Sequence, residues 1–426
     1  MNSLTVTAIP AAVTGQRMKF YAWAVVAMLF PVALLNYLDR MMISTMRTSI
    51  RADIAGIASD AQFGFLMALF MWIYAIFSPI GGYLADRFNR RRMVIASLLV
   101  WSIMTWLTGC AHTFGEMAWA RGLMGISEAF YIPAALALIA DFHPGATRSR
   151  AIGIHMCGIY AGQTLGGLGG YIADGSSWRN AFYWFGATGV VYAVFLILFL
   201  RDNRIAAKEP SAAKVSVGKA LSTLLGTGGF LILVAYFTLP AIPGWAVKNW
   251  LPTYLGNALH LKQGPAGMSA TGYVTCACFA GALLGGWLAD LMTRLTPRGR
   301  IYVSALGTGL CVPALLMLGN IASLPFAVAG MILFGLGFGF FDANNMPILC
   351  QIVRPEYRAT GYGIMNMASI GTGAVFTVGM GAMRDHGISL GIAFSLLAAV
   401  ALFGALLILL LRPAQEQNLT STNQRP

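Results

Sequence analysis

Six ionisable side chains stand inside long apolar runs of this chain: Asp39, Arg40, Arg121, Glu128, Lys248 and Asp342. At the centre of a bilayer each costs roughly 2.5–3.5 kcal/mol, and less near its surface. Three acids and three bases can neutralise one another, or face a wet cavity. The chemistry such a set supports is ion recognition and proton carriage. A guanidinium or ammonium holds a carboxylate or phosphate, and a buried carboxylate exchanges its proton according to whether a cation stands beside it. Arg121 and Glu128 are seven residues apart, so on a helix they share one face, about 10 Å apart along the axis. Asp39 and Arg40 are adjacent, roughly 100° apart around a helix, and cannot both face one partner. No nucleophile–base pair and no metal-ligand spacing accompanies them, which argues against an enzyme.

The elements that hold these residues follow from composition. Of 426 residues, 58% are hydrophobic and 10% charged, and mean hydropathy is +0.69. A soluble domain carries about 25% charge, so a water-soluble fold is excluded. About 20 apolar residues cross a bilayer as a helix. Spans are expected at 20–46, 61–85, 93–110, 114–141, 149–173 and 179–200. Six more are expected at 226–258, 266–290, 300–319, 321–352, 359–382 and 387–411. Barrel strands would alternate, and these runs do not. The predicted architecture is an all-α polytopic membrane protein of twelve helices in two six-helix lobes. The expected divisions are an N-terminal tail (1–19), an N-lobe (20–200), a linker (201–225), a C-lobe (226–411) and a C-terminal tail (412–426). Residues 1–16 do not read as a signal peptide. The six cysteines lie in apolar runs and read as packing residues.

Net charge is +13. With both termini inside, twenty of the 28 cations fall on inner segments and five on outer ones. This positive-inside bias places both tails in the cytoplasm of a cell membrane. It also accounts for the basic balance without nucleic acid.

The halves repeat. Gly82-x-Leu84-Ala85-Asp86 matches Gly286-x-Leu288-Ala289-Asp290. Glu128-Ala129 with Pro133 matches Asp342-Ala343 with Pro347. Arg150-Ala151-x-Gly153 matches Arg358-Ala359-x-Gly361. A duplicated six-helix unit is the pattern of a two-lobed transporter with its site between the lobes. Arg40 and Lys248 fall in equivalent places by this offset, as do Glu128 and Asp342.

The segment Gly82-Tyr83-Leu84-Ala85-Asp86-Arg87-Phe88-Asn89-Arg90-Arg91-Arg92 resembles the signature loop of the major facilitator superfamily, with Asn89 where the superfamily usually has glycine. The resemblance covers about residues 20–411. It implies alternating access, with spans 1, 4, 7 and 10 lining a central cavity, and these are the spans that carry the six charges. Asp86, Arg87, Arg90, Arg91 and Asp290 are the expected gating residues, locking the lobes on the cytoplasmic side. Asn36-Tyr37-x-Asp39-Arg40 with Arg121…Glu128-Ala129 resembles two branches, the organic anion:proton symporters and the Spinster proteins. Trp250-Leu251-Pro252-Thr253-Tyr254-Leu255 after Lys248 resembles organic-anion and organophosphate carriers.

The resulting expectation is proton-coupled symport of a small organic anion, a sugar acid or related carboxylate or phosphate. Arg40, Arg121 and Lys248 would hold the anion, assisted by Tyr37, Tyr160, Gln163, Asn249, Asn344 and Asn345. Glu128, Asp39 and Asp342 are the proton-coupling candidates. No cofactor beyond the coupling proton is implied, and a monomer in a lipid bilayer is expected. The alternative is a Spinster-like exporter of lysophospholipids or other amphiphiles, which predicts an apolar cavity open sideways to lipid. A non-transporting sensor would need a soluble output domain. His155 reads as a structural histidine. Trp245 and Trp250 would line the cavity or join the outer aromatic belt, and Tyr254 is assigned to the belt. Gly158, Gly162, Gly166 and Gly170 form a stripe for close, sliding helix contact. The drug-antiporter branch carries a proline among these glycines, and none is present here.

Overall fold

The computed structural model describes residues 11–143, 147–201, 217–354 and 357–411. The tail 412–426, residues 1–10 and most of the 201–225 linker lie outside them. Sixteen helices run through the described residues. The first half holds α1 (Ala11–Thr45), α2 (Arg47–Asp53), α3 (Asp60–Arg87), α4 (Arg90–Cys110), α5 (Phe114–Ala129), α6 (Tyr131–Phe142), α7 (Arg148–Leu165), α8 (Leu168–Gly175) and α9 (Trp178–Phe199). The second holds α10 (Val217–Leu225), α11 (Gly228–Ala258), α12 (Gln263–Leu295), α13 (Gly299–Gly319), α14 (Leu324–Ile352), α15 (Arg358–Asp385) and α16 (Leu390–Ile408).

Twelve spans result once α5–α6 and α7–α8 are each counted as one interrupted crossing. Eleven are long and apolar enough to cross a membrane by composition. The twelfth, α7–α8, is broken at Gly166–Gly167. The α5–α6 break has a backbone cause. Pro133 has no N–H to offer the carbonyl of Ala129, so the helix restarts at Tyr131 and leaves Glu128 in the last turn of α5. Two short helices were not anticipated. They are α2, which lies outside the bilayer span, and α10, which occupies the end of the expected linker and packs Ala220 and Leu224 against the C-lobe.

Helix starts follow capping chemistry. Ser59 and Gln62 form a reciprocal capping box on α3. The Asn89 side chain accepts the Arg92 N–H at 2.9 Å and caps α4. Its φ is −63°, so no glycine is needed there, and the departure from the usual loop residue supplies a cap instead.

The packing shows where the molecule is shut. One continuous core joins both lobes at the end bearing Asp60 and Asp385, from Leu38 and Phe63 across to Trp250, Phe334 and Phe394. Toward the opposite end, which carries Arg87, Arg90, Arg148 and Arg358, it gives way to a largely N-lobe core, which takes in Ala374 of the C-lobe, and a separate C-lobe core. We call these the far end and the basic end. The lobes are parted at the basic end, where Tyr83 and Ile154 are exposed. A wide apolar surface that includes Trp119, Trp287 and Val191 faces outward and requires lipid around it.

The glycine stripe divides its work. A methyl group on Gly158 or Gly162 would collide with the α1 carbonyls of Phe30 or Leu34, and one on Gly166 with Met41. These three seat α7 on α1 within one lobe. Only Gly170, against Gln263, together with neighbouring Gly167, against Met268, makes the close approach between lobes.

Candidate functional site

The N-lobe holds four of the six charges in a dry cluster. Arg40 Nε donates to Glu128 Oε2 at 2.5 Å, and Arg40 Nη2 donates to Asn36 Oδ1 at 2.9 Å. The guanidinium lies 4.6 Å from the Tyr37 ring centroid and 4.4 Å from that of Tyr74. Asp39 turns the other way and accepts from Thr105 Oγ1 at 3.0 Å. Arg121, 1% exposed, has its guanidinium 4.9 Å from the Phe70 ring and directs Nη1 at Met124 Sδ, 3.2 Å away. Helical spacing puts Arg121 and Glu128 on one face without pairing them. In the structure Glu128 bonds Arg40 from α1, and Arg121 is within electrostatic reach of both carboxylates with no hydrogen bond to either among the described residues. Asp39 Oδ1 and Arg121 Nε are buried with no hydrogen-bond partner among the described residues. Asp39, Glu128 and Arg121 are thus packed inside the lobe. Arg40 is the most exposed of the four, at 8%, and is within electrostatic reach of Lys248 across the lobe boundary.

The C-lobe places its charges differently. Asp342 is exposed in the opening between the lobes. Lys248 has its Nζ 5.2 Å from the Trp245 ring and 5.7 Å from that of Phe338, with no ion-pair partner among the described residues. Lys248 also lines a small cavity, about 30 Å³, with Met41, Gln163, Thr271, Thr275 and Cys278. Tyr160 stacks edge-on against Phe279 across the lobe boundary, centroids 5.5 Å apart. Asn249 Nδ2 donates to Thr377 Oγ1 at 2.9 Å and Asn344 Nδ2 to the Phe340 carbonyl at 2.9 Å, so both serve C-lobe packing in this state. Asn345 is 2% exposed, and its amide has no hydrogen-bond partner among the described residues.

Several aromatic and histidine expectations resolve here. Trp250 is fully buried and donates to the Thr377 carbonyl at 3.0 Å. The Tyr254 hydroxyl bonds the Gly319 carbonyl at 3.0 Å, which ties it into the C-lobe rather than to a lipid headgroup. His155 is buried 2.9 Å from the Tyr131 hydroxyl.

At the far end a polar seam that sequence reasoning missed joins the lobes. Asp385 accepts the backbone N–H groups of Asp60 and Ala61, both at 2.8 Å. Arg384 Nε lies 3.3 Å from Asp60 Oδ2, while Arg47 and Arg51 bind the same carboxylate from within the N-lobe. Asp174 accepts the Gly264 N–H at 2.7 Å.

Residues 29–377 match the Major Facilitator Superfamily. The chain belongs to that superfamily. Its relatives include an MFS-type efflux pump of Mycolicibacterium smegmatis, 29% identical over 84% of each chain. A probable sulfoacetate transporter of Cupriavidus necator is 27% identical over 88% of this chain and 90% of its own. Among solved structures, a bacterial homolog of the human lysosomal transporter Spinster, in an inward-facing and unoccupied conformation, superposes with a TM-score of 0.72. It is 22% identical over 92% of this chain and 95% of its own, and it supports the shared fold. The chain is therefore a multi-pass membrane transporter of the superfamily, not an enzyme.

Among the described side chains, Arg87, Arg90 and Arg91 make their contacts within one lobe. Arg90 pairs with Asp141, Arg91 donates to the Ile197 carbonyl, and Arg87 stacks on Tyr83, all within the N-lobe. Asp290 pairs with Arg300 within the C-lobe. The Asp86 side chain lies outside the described set.

Proposed function

We propose that the protein is a proton-coupled symporter of a small organic anion, working by alternating access. The observation that carries this reading is the 2.5 Å Arg40–Glu128 pair, with its guanidinium in electrostatic reach of Lys248 across the lobe boundary and its carboxylate fully buried. An anion arriving at the cleft competes with Glu128 for Arg40. A dry carboxylate deprived of its cation neutralises itself by taking a proton rather than bearing the desolvation cost. Anion and proton are thereby bound together. Arg40 and Lys248 face the substrate from opposite lobes, with Tyr37, Tyr160 and Gln163 around them. Arg121 balances Asp39 and Glu128 from behind Phe70. The positive-inside bias assigns the basic end, and both termini, to the cytoplasm of a cell membrane, so the state described is inward-open. The membrane potential, about 2.3 kcal/mol per charge per 100 mV, drives uptake whenever the cycle carries net positive charge. The probable sulfoacetate transporter among the relatives supports an anionic substrate.

In proteoliposomes with an imposed pH gradient, sugar acids, sulfoacetate and organophosphates should be screened for accumulation. Glu128→Gln should abolish gradient-driven accumulation and retain counterflow exchange. Undiminished pH-driven accumulation by the variant would refute the proton role. Amphiphile export is the second reading. It is favoured by the efflux pump among the relatives and by the apolar lining of the cavity, Val247, Val274, Phe334 and Phe338. Under it, lysophospholipids would displace the small anions in the same screen.

A further inference from the structure

The C-lobe wall of the cleft is not simply basic. Lys248 is an ammonium without an ion-pair partner among the described residues, and Asp342 is a carboxylate exposed in the same opening. The two are near enough to interact electrostatically, yet no ion pair joins them among the described residues. Asp342 is also within electrostatic reach of three phenol hydroxyls, those of Tyr37, Tyr160 and Tyr362, and that of Tyr160 hydrogen-bonds it. A carboxylate among phenol hydroxyls is a site for an organic cation, since the carboxylate and the hydroxyl oxygens can all accept hydrogen bonds from an ammonium. One helical step further, Asn345 offers a buried amide with neither its N–H₂ nor its oxygen hydrogen-bonded among the described residues, on the same side of α14 as Asp342. An exposed carboxylate in this wall is a liability for a substrate carrying only negative charge, because it repels each anionic group that approaches. It is an asset for a substrate with charges of both signs.

We propose that the substrate is a small zwitterion, an organic anion that also carries an ammonium group. Its anionic end lies at Lys248 and Arg40, and its ammonium at Asp342 among the tyrosine hydroxyls. This rests on the organic-anion reading above and narrows it. A simple sugar acid fills only half of the site.

The test compares matched pairs that differ by one amino group, using the full chain in nanodiscs and following intrinsic tryptophan fluorescence. The pairs are glucosaminate with gluconate, and taurine with ethanesulfonate. The amino member should bind at least about tenfold more tightly, the ratio expected of one additional charge-assisted contact. Asp342→Asn should bring that ratio close to one, and Asp342→Glu should keep it. Lys248→Ala should weaken both members of each pair. Equal binding of paired ligands to the unmodified protein, which requires no variant to fold, would overturn the zwitterion assignment and leave the organic-anion reading standing. A preference that survives Asp342→Asn would also overturn it. Failure of every anion to bind, with or without an amino group, would overturn both.

Discussion

Replacing Asp385 with alanine asks whether the far-end seam sets the resting state. Its two carboxylate oxygens each accept one backbone N–H, from Asp60 and Ala61, at 2.8 Å. Those are the first residues of α3, whose leading N–H groups have no partner within the helix and whose positive dipole end favours an anion. The contact joins the last residue of α15 to the start of α3, so it must break whenever the far end opens. The bonds from Arg47 and Arg51 to Asp60 lie within one lobe and travel with it. A buried hydrogen bond to a charged group contributes about 1.5–3 kcal/mol. Asp385 is exposed, so the pair together is discounted to about 1–2 kcal/mol. Its loss should multiply the far-end-open population by about 5–30.

Spin labels at positions 58 and 388, both exposed at the far end on opposite lobes, report this opening by double electron–electron resonance. The background should lack the native cysteines, of which Cys276 is exposed. Asp385→Ala should enlarge the long-distance component. Arg51→Ala breaks a bond within one lobe and removes a screened charge near Asp385, so it should raise the ratio less than Asp385→Ala. An unchanged distance distribution in the Asp385 variant, or equal opening in the Arg51 variant, would refute the reasoning.

Further outcomes follow from the packing, each read by thermal unfolding in detergent. Asn89→Ala should lose about 1 kcal/mol with the α4 cap, whereas Asn89→Gly, which installs the usual loop residue, should lose only a few tenths. Gly162→Ala should destabilise by about 1–3 kcal/mol or more, because the Leu34 carbonyl cannot move aside, whereas Gly153→Ala meets nothing and should fall within about 0.5 kcal/mol of the parent. Arg121→Ala leaves Asp39 and Glu128 to share one cation and should lose about 3–5 kcal/mol, more than Arg121→Lys.

The spans were legible because a bilayer demands about 20 apolar residues in one stretch, and no tertiary contact overrides that demand. The interruptions were not legible: spans 4 and 5 were expected unbroken, and Pro347, the repeat counterpart of Pro133, sits inside a continuous α14. Nor was the far-end seam legible. Asp60 and Asp385 are 325 residues apart and lie among ordinary surface charges, so only the fold reveals that three arginines converge on one aspartate. The choice of partner for Glu128 was equally hidden. Helical spacing offers Arg121 on the same helix, but packing brings in Arg40 from α1, since a side chain two turns away along the axis is farther than one facing it across a helix interface.

The repeat made Glu128 and Asp342 counterparts, and the structure separates them. Glu128 sits in the last turn of α5, ahead of a proline break, and is sealed beside Arg40. Asp342 lies within an uninterrupted α14 and opens onto the cleft. One duplicated position thus holds a dry carboxylate suited to a proton and a wet one suited to a ligand. Arg40 and Lys248 diverge less, and they interact across the lobe boundary. On the proposed reading this asymmetry supplies the coupling. Closing the basic end brings two cations from opposite lobes toward each other, and their repulsion in a drying cleft rises as water leaves. An anion between them turns that repulsion into attraction from both sides. It also draws Arg40 from Glu128, which then closes the cycle protonated. The empty carrier is held open by the same two charges that the loaded carrier uses to shut.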